Sequence, residues 1–268
     1  MTMKGTDDQD QDRRQACNSP AAEMSCDNIL FKQPDSSHLG ECPICLVPLS
    51  LDTSMSMMQS CCTKMICIGC YYASIKHEVK TNIGGTRTCP FCRQPEPKTE
   101  AEIECYKMKR MDVDDPVAIL EAGKRFYHQG DYENAFGFFN KAAELGEMEA
   151  HYCLSFMYRD GNGVDRDMAK RLQHLILAAI GGHPKARHNL GVYEINRENI
   201  ERAVKHFTIA TNNGHDDSAK ALTELHAAGH VSQEDYELAL RAYKSAVDAS
   251  NSPQREEAFA AMKSLGRS

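Results

Sequence analysis

The sequence predicts two unlike units in one chain: a small metal-stapled module over residues 41–98 and an all-α helical-repeat solenoid over residues 117–268. Two observations carry this reading. Eight of the twelve cysteines fall between Cys42 and Cys92. Behind them, apolar residues recur at helical spacing and an alanine-rich helix end keeps returning, the mark of stacked helix pairs.

The chain has 268 residues, a net charge of -7, 41% hydrophobic and 26% charged residues, an ordinary globular balance. Residues 1–40 are acidic and polar with few apolar residues, and read as a disordered tail. The opening MTMKGTDDQDQDRR has no apolar core behind its charges, so no secretory signal is expected, and no run approaches the ~20 apolar residues of a membrane helix. An intracellular setting, cytoplasmic or nuclear and without a membrane partner, is therefore expected. Thiols stay reduced there, so clustered cysteines point to metal rather than disulfides.

In 41–98 the pattern is Cys42-x-x-Cys45, fifteen residues, Cys61-Cys62, four residues, Cys67-x-x-Cys70, eighteen residues, Cys89-x-x-Cys92. A Cys-x-x-Cys knuckle brings two sulfurs to about 2.3 Å from one zinc, and eight thiolates complete two tetrahedral sites. So short a module cannot bury enough apolar surface to fold unaided, and two zinc ions would supply its folding energy. Residues 99–116 mix charges ahead of Pro116 and read as a short helix or stiff linker.

From Val117 onward, helices are expected over 117–129 and 132–145, divided by Gly130-Asp131 and stopped at Gly146. The end Lys141-Ala-Ala-Glu-Leu-Gly146 is echoed around Ala178, Ala210 and, more faintly, Ala246, at steps of 36, 32 and 36 residues. One helix pair cannot bury its apolar face alone, so such units stack, with small alanines at the close contacts. Pro253–Leu265 reads as a capping helix. Within residues 149–182, Ala150, Leu154, Tyr158, Gly161, Gly163, Val164, Asp167, Lys170, Ala178, Ala179 and Gly182 resemble a Sel-one-like repeat, a member of the tetratricopeptide class.

The cysteine layout resembles a RING finger, a small zinc-stabilised α+β domain. The resemblance implies a cross-brace, with Cys42, Cys45, Cys67 and Cys70 on one zinc and Cys61, Cys62, Cys89 and Cys92 on the other. Where the family usually has a histidine, this chain has Lys64, which has no lone pair for a metal. Cys61 replaces it, with His77 as the other candidate. Lys64, Lys76 and Arg87 are candidates to offset the thiolate charge. In RING ubiquitin ligases, residues at the places of Ile44 and Pro90 form the groove for a ubiquitin-conjugating enzyme. A basic residue at the place of Arg93 bridges that enzyme and its ubiquitin. The tryptophan many such ligases carry is missing; Ser74 or Ile75 stands there. The resemblance thus implies a ligase that forms no covalent intermediate, with the repeats as a platform for a protein substrate or adaptor. The alternative is a non-catalytic zinc-binding scaffold.

Other chemistries find no support. Residues 41–98 hold six basic and four acidic residues, a net +2, too little for a nucleic-acid footprint. No phosphate-binding loop, His-Glu-x-x-His or Gly-x-Ser-x-Gly occurs, and no catalytic residue is assigned. Cys153 reads as core and Cys105 as a linker residue. His183, His188, His206 and His215 are expected as surface or capping residues.

Overall fold

The computed structural model describes residues 27–81 and 87–264. The cysteine module opens with a short antiparallel pair, β1 (Ser56–Met58) and β2 (Met65–Cys67), with Met57 opposite Ile66. Helix α1 (Ile68–Thr81) follows β2 directly. The module's buried centre consists of Leu49, Ile66 and the cysteines themselves. With so little hydrocarbon inside, the sulfurs are its main staple.

Helix α2 (Glu100–Met111), capped by Thr99, fills the segment read as a short helix or linker. Four antiparallel pairs then stack: α3 (Pro116–His128) with α4 (Tyr132–Glu144), α5 (Met148–Asp160) with α6 (Met168–Ile180), α7 (Pro184–Ile195) with α8 (Ile200–Asn212), and α9 (Asp216–Ala227) with α10 (Gln233–Ala249). Each helix packs on the next, so the chain forms a helical-repeat solenoid. No described helix is long and apolar enough to cross a membrane.

Local chemistry sets these boundaries. Asp115, Asp131, Asp167 and Ser232 accept backbone N–H groups at helix starts, as N-caps do. The first three pairs end on Gly146, Gly182 and Gly214, all left-handed, which lets the chain reverse without a Cβ penalty. Ala142, Ala178 and Ala210 are fully buried where the sequence period put close contacts, whereas Ala246, the faint echo, is only half-buried.

A second small-residue series holds the two helices of a pair together. A Cβ on Gly123 would lie 2.7 Å from the Phe139 ring, and one on Gly191 would lie 2.6 Å from Phe207. Gly191→Val is therefore expected to lower stability by about 1–3 kcal/mol through overpacking. Among the described residues nothing lies within 4 Å of the Cβ position of Gly137, so Gly137→Ala should be neutral or stabilising by up to ~1 kcal/mol. Urea denaturation of the pair of variants checks both, and equal midpoints would refute the close-packing account.

Two expectations change. The last helix, α11 (Pro253–Ser264), does not continue the stack but turns back onto α1 of the cysteine module. Of the tail expected over residues 1–40, residues 1–26 lie outside the described residues. Residues 27–40 are not a free tail: they fold against the solenoid, with Asp27 on Arg202 and the His38 N–H on the Gly182 carbonyl.

Candidate metal centre

Two knuckles of the same design build the module's ends. The Cys42 N–H donates to Val47 O and the Leu46 N–H to Cys42 O; likewise the Cys89 N–H donates to Gln94 O and the Arg93 N–H to Cys89 O. Bridges Glu41–Pro48 and Thr88–Pro95 close the two loops. The residue after the second cysteine of each turn, Leu46 or Arg93, takes a positive φ of 57° or 65°. This turns both Cys-x-x-Cys pairs so that their sulfurs point inward.

The eight sulfurs gather into two groups, Cys42, Cys45, Cys67 and Cys70, and Cys61, Cys62, Cys89 and Cys92, with the sulfurs of each group within 4.8 Å of one another. A tetrahedron with ~2.3 Å metal–sulfur arms has edges of about 3.8 Å. Observed separations are 3.7 Å for Cys45–Cys67, 3.8 Å for Cys62–Cys89 and 3.3 Å for Cys61–Cys92. Each group therefore fits one tetrahedral ion held by four thiolates. Cys61 stands in the second group, while His77 is exposed on α1 and in neither.

The charge state argues the same way. Burial opposes ionisation of Cys45, Cys61, Cys62, Cys67, Cys70 and Cys92. At Cys45 the Val47 backbone, the Arg255 guanidinium and neighbouring thiols overcome it, and the thiol falls to about 7. Burial, with hydrogen bonds to neighbouring sulfurs, pushes Cys61 and Cys70 well above the ordinary range. Burial and adjacent sulfurs raise Cys62 to about 11. Four crowded sulfurs cannot all ionise on their own, and a divalent cation held there would supply the missing charge.

The cation built into the protein is one the sequence did not disclose. Lys64 and Arg87 are exposed, and Lys76 pairs with Glu257 at 2.6 Å. Arg255, from α11, is 1% exposed and touches the first group instead. Its guanidinium donates to Pro48 O at 2.6 Å, Val47 O at 3.0 Å, Ser250 O and Cys45 Sγ at 3.7 Å. A Cβ on Gly69 would lie 3.1 Å from the Arg255 backbone, so that glycine admits the helix. On the other side, Thr63 Oγ donates at 2.6 Å to Asp115, the N-cap of α3, which also receives Arg110. The module is thus fastened to both the first and the last helices of the solenoid region.

The residues expected to meet a partner are placed differently. Ile44 is 42% exposed, Arg93 is exposed and Pro90 half-buried. Phe91 and Leu46, which sequence reasoning did not single out, are also exposed. At the place of the missing tryptophan, Ser74 turns its hydroxyl back to Tyr71 O at 2.7 Å, and Ile75 is half-buried.

A third cluster, His38, Glu149 and His183, also gathers ligand atoms within 4.8 Å. Here His183 Nδ1 accepts the Ala186 N–H as an N-cap, which places the ring proton on Nε2, 2.8 Å from Glu149. A nitrogen holding a proton cannot also bind a metal. The cluster reads as a clasp between the 27–40 segment and the solenoid. Of the histidines expected at caps or on the surface, His183 and His215 do cap helices, but His183 and His206 are buried.

No known family profile matches the chain. Among curated proteins, the chitin synthase regulator SKT5 of Saccharomyces cerevisiae is 33% identical over 96 residues, which is 35% of this chain and 14% of that protein. Among solved structures, a Sel1 repeat protein from Oxalobacter formigenes is 22% identical with a TM-score of 0.48, covering 66% of this chain and 72% of that one. A protective antigen of uropathogenic Escherichia coli displaying an SLR fold is 30% identical with a TM-score of 0.44, covering 54% and 33% respectively.

Proposed function

We propose that the module is a RING-type finger holding two zinc ions in a cross-brace, and that the protein is a ubiquitin ligase whose solenoid carries a protein substrate or adaptor. The observation that carries this is the interleaving of the sulfurs: the first and third cysteine pairs share one group, the second and fourth the other. Tetrahedral sites of four thiolates suit zinc, as they also suit iron, and the interleaved spacing is that of a two-zinc finger. Exposed Ile44 beside the first knuckle and exposed Arg93 at the end of the last one offer an apolar and a cationic contact to a conjugating enzyme. The finger would act by orienting that enzyme's thioester, with no covalent step of its own.

A second reading, a non-catalytic scaffold, is favoured by one feature: Ser74 or Ile75 in place of the tryptophan shrinks the apolar contact on α1. The partial likeness to a yeast protein named as a regulator accords with it. Autoubiquitination over a panel of conjugating enzymes, using protein that holds two zinc per chain, separates the two. Arg93→Ala should reduce activity by about ten-fold or more with no loss of stability. Arg93→Gly should do the same and add stability, because glycine accepts the positive φ freely. Silence of the wild type across the panel would leave the scaffold reading.

A further inference from the structure

Residues 27–38 lie on one face of the solenoid and contact it through several side chains. Residues 27–31 make one helical turn, with the Phe31 N–H on the Asp27 carbonyl at 2.8 Å. Asp27, Leu30 and Phe31 thereby share one side, as positions i, i+3 and i+4 do. Each meets its own receptor. The Asp27 carboxylate takes two hydrogen bonds from Arg202, at 2.7 and 2.8 Å. Leu30 packs into the cluster of Leu175, Ala178, Ala179, Ala186 and Leu190. Phe31 lies 4.8 Å from the His206 ring, under the Arg202 guanidinium at 4.9 Å and the Lys205 ammonium at 5.5 Å.

Burial is lopsided across this contact. On the solenoid side Arg187 is 2% exposed and His206 fully buried. Arg187 donates to the Leu30 carbonyl as well as to Ala179 O at 2.7 Å. On the segment side no residue from 27 to 40 is fully buried, and Asn28, Ile29, Lys32 and Gln33 are exposed. With the segment in place the solenoid residues beneath it are buried, while the segment keeps its outer side exposed, as a chain laid over a surface does. The cations of this solenoid face are Arg187, Arg202 and Lys205, of which Arg202 also pairs with Glu194 at 3.3 Å and Lys205 with Glu201 at 2.8 Å.

We propose that this face across α6, α7 and α8 docks a protein segment bearing a carboxylate followed, three and four residues on, by an aliphatic and an aromatic side chain, and that the chain's own residues 27–38 are a displaceable resident of it. This deepens the platform half of the proposed function and does not depend on ligase activity. Tethering gives the resident a local concentration on the order of millimolar. An outside segment therefore gains access only where its affinity or its own tethering exceeds that.

The test uses a fluorescein-labelled peptide of residues 27–40, DNILFKQPDSSHLG, and the full chain, read by fluorescence anisotropy. Wild-type protein should bind it weakly. The double variant Leu30→Ala/Phe31→Ala, its own segment disabled, should bind at least about ten-fold more tightly. Adding Arg202→Glu should remove that gain, and a peptide with alanine at the phenylalanine should not bind. Asp27→Lys alters only a half-exposed ion pair and should give the same gain in smaller measure. Absence of binding to variants whose helical circular dichroism and thermal midpoint match wild type would overturn the proposal. So would unfolding of both variants, since the segment would then be part of the fold rather than its guest. Failure of autoubiquitination alone would sink the ligase reading and leave this one standing.

Discussion

Arg255→Ala is expected to detach α11 from the cysteine module, lower stability by on the order of 3 kcal/mol and speed loss of the proposed zinc about ten-fold. The side chain is 1% exposed and supplies the hydrogen-bond donors facing Val47 O, Pro48 O and Ser250 O. Truncation leaves Pro48 O and Ser250 O turned toward a cavity, while Val47 O keeps the Cys42 N–H, and takes a cation from beside a thiolate cluster, a change in the class that costs about 3–5 kcal/mol. Four thiolates on one divalent ion carry a net charge near -2. The N–H contact to Cys45 Sγ, and the pull of Arg255 on Cys67, offset part of that charge. Arg255→Lys keeps the charge but not the planar fork, which here reaches carbonyls and sulfur at once, so it should rescue retention of the proposed metal more than stability. Chelator-competition kinetics and urea denaturation give the two readouts. Wild-type behaviour of Arg255→Ala in both would mean that α11 rests on the module without holding it.

Arg255 also marks the limit of what the sequence discloses. The cysteine pairs were legible because a tetrahedral thiolate site demands a short spacing, and the observed sulfur groups follow the pairing the cross-brace implies. The repeats were legible because helix pairs stack by contacts that recur, so Ala142, Ala178 and Ala210 carry a period. Arg255 lies 210 residues from Cys45, and a single contact closing so long a loop leaves no periodic trace. Residues 27–40 were opaque for a related reason. Their composition cannot build a core of its own, and their order comes from Arg187, Arg202 and His206 on helices far along the chain. Gly123 and Gly191 were visible as glycines in helices, but only the facing phenylalanines explain them.

The buried histidines carry the second large effect: the solenoid should lose stability steeply as pH falls from about 6.5 to 4.5. Burial, aided by Arg187 and Arg202, drops His206 to about 3. Burial with neighbouring cationic groups drops His174 and His215 to about 4, and burial also lowers His151, His183 and His188. The unfolded chain binds protons on these rings below about 6.5 while the folded chain does not, so acid favours unfolding. For His206 alone this amounts to about 2 kcal/mol at pH 5. Glu149, held low by His183, His38 and Lys124 against its burial, acts in a different window. Its contribution is present above about 4.5 and is lost only below that. The upper window therefore belongs to the histidines. Among the described residues neither ring nitrogen of His206 has a hydrogen-bond partner, so His206→Met forfeits no bond seen there and keeps most of the packing. The variant should match wild type near pH 7.5 and exceed it by about 2 kcal/mol at pH 5. The metal sites are identical in the two proteins, so acid release of metal cancels from the comparison. Parallel urea midpoints across the whole pH range would show that His206 is protonated in the folded chain, and the buried-neutral account would fall.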